Sequence, residues 1–380
     1  MAEALGRRGH DVHVVTYHLG EDVGHLPFRI HRIPAVPAYR RVSPGPTYVK
    51  LLLLNALLRL KLGSVVRSHP PDVIHAHHYE GLVLGLSLRS RGRPPVIYDA
   101  HTLLASELPF YRLGLTRRVK GAVGAVLDRR LPGRAAHVIA VSESIRATLL
   151  ELRACSPDDV TVVGNGVEQA LLEAGRAAAA PPGRTVVFAG NTAAYQGIDL
   201  LLRAFRQVRD EHPDVRLLIV TDGRFDPYEA LARELGIRDA VEVVNAGFEE
   251  MLPLLASADV TVNPRPASGG GSPQKLMNYM AAAAPIVSFE GSAAHLQHGN
   301  TAWIVGGRDA GDLARGILRM LDDRELASRL GEAARRSVAE NYSWERTAEG
   351  VEAVYSRVLG GTGSPAGEAA APQRAGIGTP

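Results

Sequence analysis

The chain has 380 residues, 46% of them hydrophobic, and a formal net charge of only +3. That length supports two ordinary domains with separate cores, and so small a charge excludes a nucleic-acid footprint, so no nucleic-acid partner is expected. Cys155 is the single cysteine, which excludes an internal disulfide framework; no apolar run reaches the ~18 residues needed to span a bilayer, and a cytoplasmic, reducing setting is expected.

In chain order, "MAEALGRRGH" reads as a helix ending at Gly9 that feeds a strand within "DVHVVTY" (11–17). A crossover helix in a parallel sheet is preceded by a strand, so the pattern implies that one βα half-unit is missing ahead of it. "DVIHAHH" (72–78), "PVIYDAH" (95–101) and "HVIAVS" (137–142) read as buried strands separated by helical stretches. The second half repeats the scheme with "TVVFAGN", "VRLLIVTDG", "AVEVVNAG", "ADVTVNP", "PIVSF" and "TAWIVG". Continuous apolar strands alternating with helices predict parallel sheets covered on both faces.

The expected division is an N-terminal Rossmann-like domain over 1–167, a linker over 168–184, a second Rossmann-like domain over 185–340, a returning amphipathic helix over 341–360 and a disordered tail over 361–380. Between "DVTVNP" and "PIVSF" lies "SGGGSPQKLMNYMAAAA". In open parallel sheets ligands sit at the carboxyl ends of strands, and free N–H groups at a helix start can hold a diphosphate. Gly269, Gly270, Gly271 and Ser272, with Pro273 in the first turn, therefore read either as such a cradle or as a plain loop and cap.

Two stretches, 39–61 and 111–134, are basic and apolar together, the second carrying Arg112, Arg117, Arg118, Lys120, Arg129, Arg130 and Arg134 against Asp128 alone. They read equally as faces for anionic lipid, hence peripheral contact with the inner face of the cell membrane, or as ordinary solvated helices. "HAHH" (75–78) places His75 and His77 on one strand face, but no further ligand is apparent in sequence, and packing or acceptor-side polarity is the expected role; the metal reading is set aside.

The ordered set "PDVIHAHHYEGLVLGL", "VIYDAHTLLASELP", "VIAVSESIRATLLE", "VTVVGNGVE", "FAGNTAAYQGIDLLLRAF" and "KLMNYMAAAAPIVSFEGS" resembles the retaining, family 4 glycosyltransferases of GT-B fold. The resemblance implies two Rossmann-like domains facing across a cleft. It also implies transfer of a sugar from a nucleoside diphosphate to a glycan or lipid-linked glycan, without metal and with no cofactor beyond the nucleotide-sugar co-substrate. It makes His101 the catalytic-site histidine beside the donor sugar, with Asp99 and Glu107 as lesser candidates. The donor side would comprise Gly190, Asn191, Gln196, Gly223, Val244, Asn245, Arg265, Lys275 and Asn278 with the glycine loop, and Asn165 and Gly166 would lie in the cleft.

The chain departs from the family at four of these places. Gly270 and Asn278 stand where two glutamates eight apart are usual, and Asn191 and Gln196 stand where an arginine and a lysine usually neutralise the diphosphate. Arg265 and Lys275 are the nearest replacement cations in sequence, against the reading of solvated surface residues. These departures keep open a non-catalytic nucleotide-sugar-binding protein or partner subunit, and more distantly a GT-B epimerase or phosphorylase.

Overall fold

In a computed structural model, the structure describes residues 1–20, 24–37, 39–40, 47–88, 94–111, 114–167, 172, 184–221, 223–266 and 274–360. Gly269, Gly270, Gly271, Ser272 and Pro273, the tail, and the linker apart from Leu172 and Arg184 lie outside the described residues.

The strands are β1 (His13–Thr16), β2 (Arg29–Arg32), β3 (Ile74–His77), β4 (Val96–Ala100), β5 (His137–Ala140), β6 (Val160–Val162), β7 (Thr185–Ala189), β8 (Arg216–Val220), β9 (Val241–Val244), β10 (Val260–Asn263), β11 (Ile286–Phe289) and β12 (Trp303–Val305). Every ladder between them is parallel. The first six fall into a β1–β2 pair and a sheet ordered β3–β4–β5–β6; the other six form one sheet, β12–β11–β10–β7–β8–β9. Two Rossmann-like units are therefore present, as expected. β2 and β6 were not predicted as strands: "RIHR" lacks an apolar run, and β6 is three residues long.

Burial explains the continuous apolar strands. Val186, Phe188, Leu217, Ile219, Val260, Val262, Val287 and Phe289 face one helix layer with Ile198, Leu201, Phe205 and Leu313. Val187, Ala189, Leu218, Val220 and Ile286 face the other, with Leu276, Tyr279 and Met280. A strand enclosed on both faces has no solvent side to make polar.

The final helix, Trp344–Val358, starts at Ser343, whose Oγ accepts the Arg346 N–H at 3.2 Å. Its apolar stripe of Ala348, Val351 and Val354 joins Leu5, Ile97, Ile139 and Val163 in one core cluster. Arg8 adds two hydrogen bonds to the Glu352 carboxylate, at 2.8 and 2.7 Å. The helix thus packs against the N-terminal sheet, and Val167 pairs with Ser343 where the chain passes between the units.

Candidate functional site

The six-stranded sheet reverses its order between β7 and β10: succeeding strands run outward through β8 and β9 on one side and through β11 and β12 on the other. Loops leaving the carboxyl ends of two such strands part in opposite directions and open a crevice. Here the β7–β10 register runs only over Val186 and Val187. Beyond it, the buried Tyr279 hydroxyl sits in the fork, accepting from Ala189 N at 2.8 Å and donating to Ala189 O at 3.1 Å. Tyr279 thereby satisfies backbone groups that a wider crevice would leave bare.

The two loops at the fork are tied together. Gly197 has φ 75° and ends the Ala194–Gln196 turn; a Cβ there would lie 2.1 Å from the Pro264 carbonyl oxygen, so only glycine lets the turn reach the end of β10. Buried Asn263 donates to Ser288 Oγ at 3.0 Å and Ser292 Oγ at 2.9 Å, and Ser292 Oγ donates to the Arg265 carbonyl at 2.6 Å.

Three predicted donor-side residues meet here. Lys275 Nζ donates to Gln196 Oε1 at 2.7 Å, and Gln196 Nε2 reaches Asn191 Oδ1 at 3.4 Å. Asn191 also accepts from Ala193 N and donates to Tyr195 Oη. The Lys275 ammonium lies 4.8 Å from the Phe188 ring centroid. Desolvation, helped by the nearby Arg265 charge, lowers Lys275 to about 7. Lys275 reaches Gln196 from the helix Gln274–Ala281.

Arg265 stacks over Tyr195 at 5.0 Å, and burial lowers its pKa. Tyr195 in turn meets Phe110 of the N-terminal unit edge-on, with ring centroids 5.8 Å apart. The Gly190 loop, at φ 151°, begins the turn after β7. Gly223 approaches Thr192 so closely that a Cβ would lie 2.6 Å from its Oγ1. Val244 ends β9, with exposed Asn245 just beyond, and Asn278 is buried on the inner side of its helix.

Gly166 accepts from Gln274 Nε2 at 3.1 Å and lies against Trp344, whose N would be 2.5 Å from an added Cβ. It is a crossing point between the units. Asn165 lines a small cavity with His77, Asp99, His101 and Trp344. His101 therefore stands at the carboxyl end of β4, among other histidines and beside the buried Asp99.

Sequence reasoning missed Tyr279, Asn263 and Asp128. Asp128 is fully buried and accepts from Tyr79 Oη at 2.6 Å, Leu104 N at 2.9 Å and Ala105 N at 2.8 Å, which pins the loop following His101. A lone acid in an otherwise basic helix was its available signal. Lys120 is corrected as well: it is buried and donates to the Tyr111 carbonyl, so it belongs to no basic surface.

The family description "Glycosyltransferase Family 4" matches residues 1–171, and "Glycosyl transferases group 1" matches residues 183–323. The chain is 28% identical over 396 residues to an MMP alpha-(1->4)-mannosyltransferase of Mycolicibacterium hassiacum, covering 94% of this chain and 93% of that protein. It is 27% identical to a D-inositol 3-phosphate glycosyltransferase of Corynebacterium aurimucosum, covering 76% of this chain and 72% of that one. Among solved structures, sucrose-phosphate synthase of Thermosynechococcus elongatus superposes with a TM-score of 0.77 at 21% identity, over 94% of this chain and 92% of its own. Anabaena HepE in complex with UDP and glucose gives 0.67 at 18%, over 88% and 87%. A parallel sheet with its crevice at the β7/β10 reversal and matches that run through both units agree on one assignment: the chain belongs to the family 4 type of GT-B glycosyltransferases.

Proposed function

We propose that the protein is a retaining glycosyltransferase that takes a sugar from a nucleoside-diphosphate donor and places it on a glycan or lipid-linked glycan. The observation that carries this reading is the Lys275–Gln196–Asn191 chain at the β7/β10 fork. A desolvated cation there would supply the compensating charge that a leaving diphosphate needs. Arg265 stands nearby on Tyr195 as the second cation, and Asn278 offers an amide to a ribose hydroxyl. The glycine loop 269–271 and Ser272 would add backbone N–H groups.

Among the described residues, no side chain of the fork reads as an obligate nucleophile. Catalysis then rests on positioning and leaving-group stabilisation, with the acceptor hydroxyl attacking on the face the diphosphate leaves. His101, in the N-terminal unit, would stand beside the donor sugar, with Asn165 in the cleft. The solved neighbour holding UDP and glucose supports a nucleotide-sugar donor.

The acceptor side carries the apolar surface. Tyr48, Leu51, Leu52 and Leu53 are exposed, as are Leu115, Val119, Val123 and Val126 beside exposed Arg117, Arg118, Arg129 and Arg130. The Tyr48 hydroxyl would lie 3.2 Å from a Cβ at Gly114, so the two stretches adjoin. Such a surface suits a lipid-linked acceptor at an anionic membrane, and no described helix is long and apolar enough to cross one. Calorimetric titration of the full-length chain with a panel of nucleotide sugars, followed by product analysis with glycan and lipid-linked acceptors, tests the reading. Binding without transfer to any acceptor would favour a donor-binding subunit; no binding to any donor would overturn both.

A further inference from the structure

Where β3 and β4 end, three imidazoles gather on one carboxylate oxygen. The strands run in register, with His77 beside Asp99. All of β4 is buried, and Asp99 is only 4% exposed. Its Oδ2 lies 3.2 Å from His75 Nε2, 3.2 Å from His77 Nδ1 and 3.1 Å from His101 Nε2. Burial would raise the Asp99 carboxyl, but hydrogen bonds from His101 and His75 outweigh it and hold the group well below the ordinary range. Asp99 is therefore an ionised acceptor.

A ring nitrogen set against such an oxygen is favoured as N–H, because a lone pair there would face a negative charge. A neutral imidazole carries one proton, so fixing it on one nitrogen leaves the other as an acceptor. His75 follows this rule: its Nε2 donates to Asp99 Oδ2, and its Nδ1 accepts from Tyr355 Oη at 2.9 Å. His77 Nδ1 and His101 Nε2 are 3.2 Å apart, a spacing that suits two N–H groups sharing the Asp99 oxygen. By the same rule neutral His101 keeps its proton on Nε2.

We propose that Asp99 is a positioning residue for His101: it fixes the ring proton on Nε2, so that Nδ1 is offered as a hydrogen-bond acceptor to a hydroxyl of the transferred sugar. The hydroxyl rests on the proposed sugar transfer; the state of the ring does not. A donor bearing that hydroxyl has a proton to give, whereas its deoxy analogue leaves Nδ1 unpaired and is rejected. Asp99 acts through the ring and not on the sugar. Its other oxygen, Oδ1, is buried with no hydrogen-bond partner among the described residues. The cavity of about 40 Å³ that Asp99 lines with Asn165 and Thr347 has room for a water to donate to it.

Long-range ¹H–¹⁵N spectra of the full-length chain with labelled histidine read the tautomer directly, the His101 signals being those lost in His101→Gln. The expected result is Nε2–H in wild type and a shift toward Nδ1–H in Asp99→Asn, whose amide can donate to Nε2. Kinetics then compare the best-binding nucleotide sugar with its monodeoxy analogues. Wild type should reject one analogue by about 10- to 100-fold in kcat/KM, and Asp99→Asn should lose that discrimination. A purely structural Asp99 would change stability while moving neither the tautomer nor the discrimination. Nδ1–H at His101 in wild type, which needs no variant to fold, would overturn the positioning role. So would an unaltered tautomer or equal discrimination in folded Asp99→Asn. Nε2–H in a wild-type chain that transfers no sugar would support the Asp99–His101 pairing and overturn the sugar hydroxyl as its partner.

Discussion

The carboxyl ends of β7 and β10 and those of β3 and β4 are equivalent places in two parallel sheets, yet they hold opposite chemistry. The first is lined by neutral amides around one desolvated ammonium, Lys275, with an arginine held against an aromatic ring. The second concentrates a buried carboxylate and three imidazoles. On the proposed function, the difference follows from what each site would hold. A diphosphate brings its own negative charge, so a fork presenting a cation would be complete only when the anion arrives. A buried carboxylate needs positive charge or donors at once, and its histidines supply them. Parallel-sheet topology decides where ligands go; the residues just past each strand decide their sign.

Four perturbations sharpen the comparison, from the largest effect downward. Asp128→Ala removes one acceptor from three donors, Tyr79 Oη, Leu104 N and Ala105 N. It should lower stability by about 3 kcal/mol in urea denaturation and loosen the loop after His101 while leaving donor affinity nearly unaltered. Tyr279→Phe strips both backbone groups of Ala189 of their hydroxyl partner. A loss of about 2 kcal/mol is expected by the same measurement, together with weaker donor binding, since the fork itself relaxes.

The third perturbation is pH. Lys275 is lowered to about 7, so it is charged below that pH and neutral above it. The diphosphate of a nucleotide sugar keeps its charge throughout this range. Donor affinity should therefore be full below pH 7 and fall as pH rises, approaching tenfold per unit, or about 1.4 kcal/mol. Calorimetry across pH 6–9, from about one unit below the transition to two above it, reads this, and Lys275→Met should flatten the profile. Smallest is Leu52→Ser on the exposed apolar surface, where stability should change by less than about 0.5 kcal/mol. Sedimentation with anionic vesicles should nonetheless show reduced binding.

Much of this was legible in the sequence. All six strands of the second sheet lie within the stretches read from it, because strands enclosed on both faces announce themselves as apolar runs. The polar β2 and the three-residue β6 carry no such run. Asn191, Gln196 and Lys275 were named separately; that they form one hydrogen-bonded chain depends on Gly197 bringing the turn onto β10, which spacing alone does not reveal. Tyr279 and Asn263 were invisible because buried polar side chains at apolar positions read as part of the core. His75 and His77 were read on one strand face, but the partners that gather around them, Asp99 and His101, come from the adjacent strand, and pairing between strands 24 residues apart is a tertiary fact.

The most direct measurement of the central claim is calorimetric titration of wild-type and Lys275→Ala chains with the best-binding nucleotide sugar of a panel. The account predicts measurable binding by wild type and a loss of about 10- to 100-fold in the variant, the worth of a charge-assisted contact to phosphate. Equal affinity in the two chains, with the variant folded, would contradict the assignment of the β7/β10 fork as the diphosphate site.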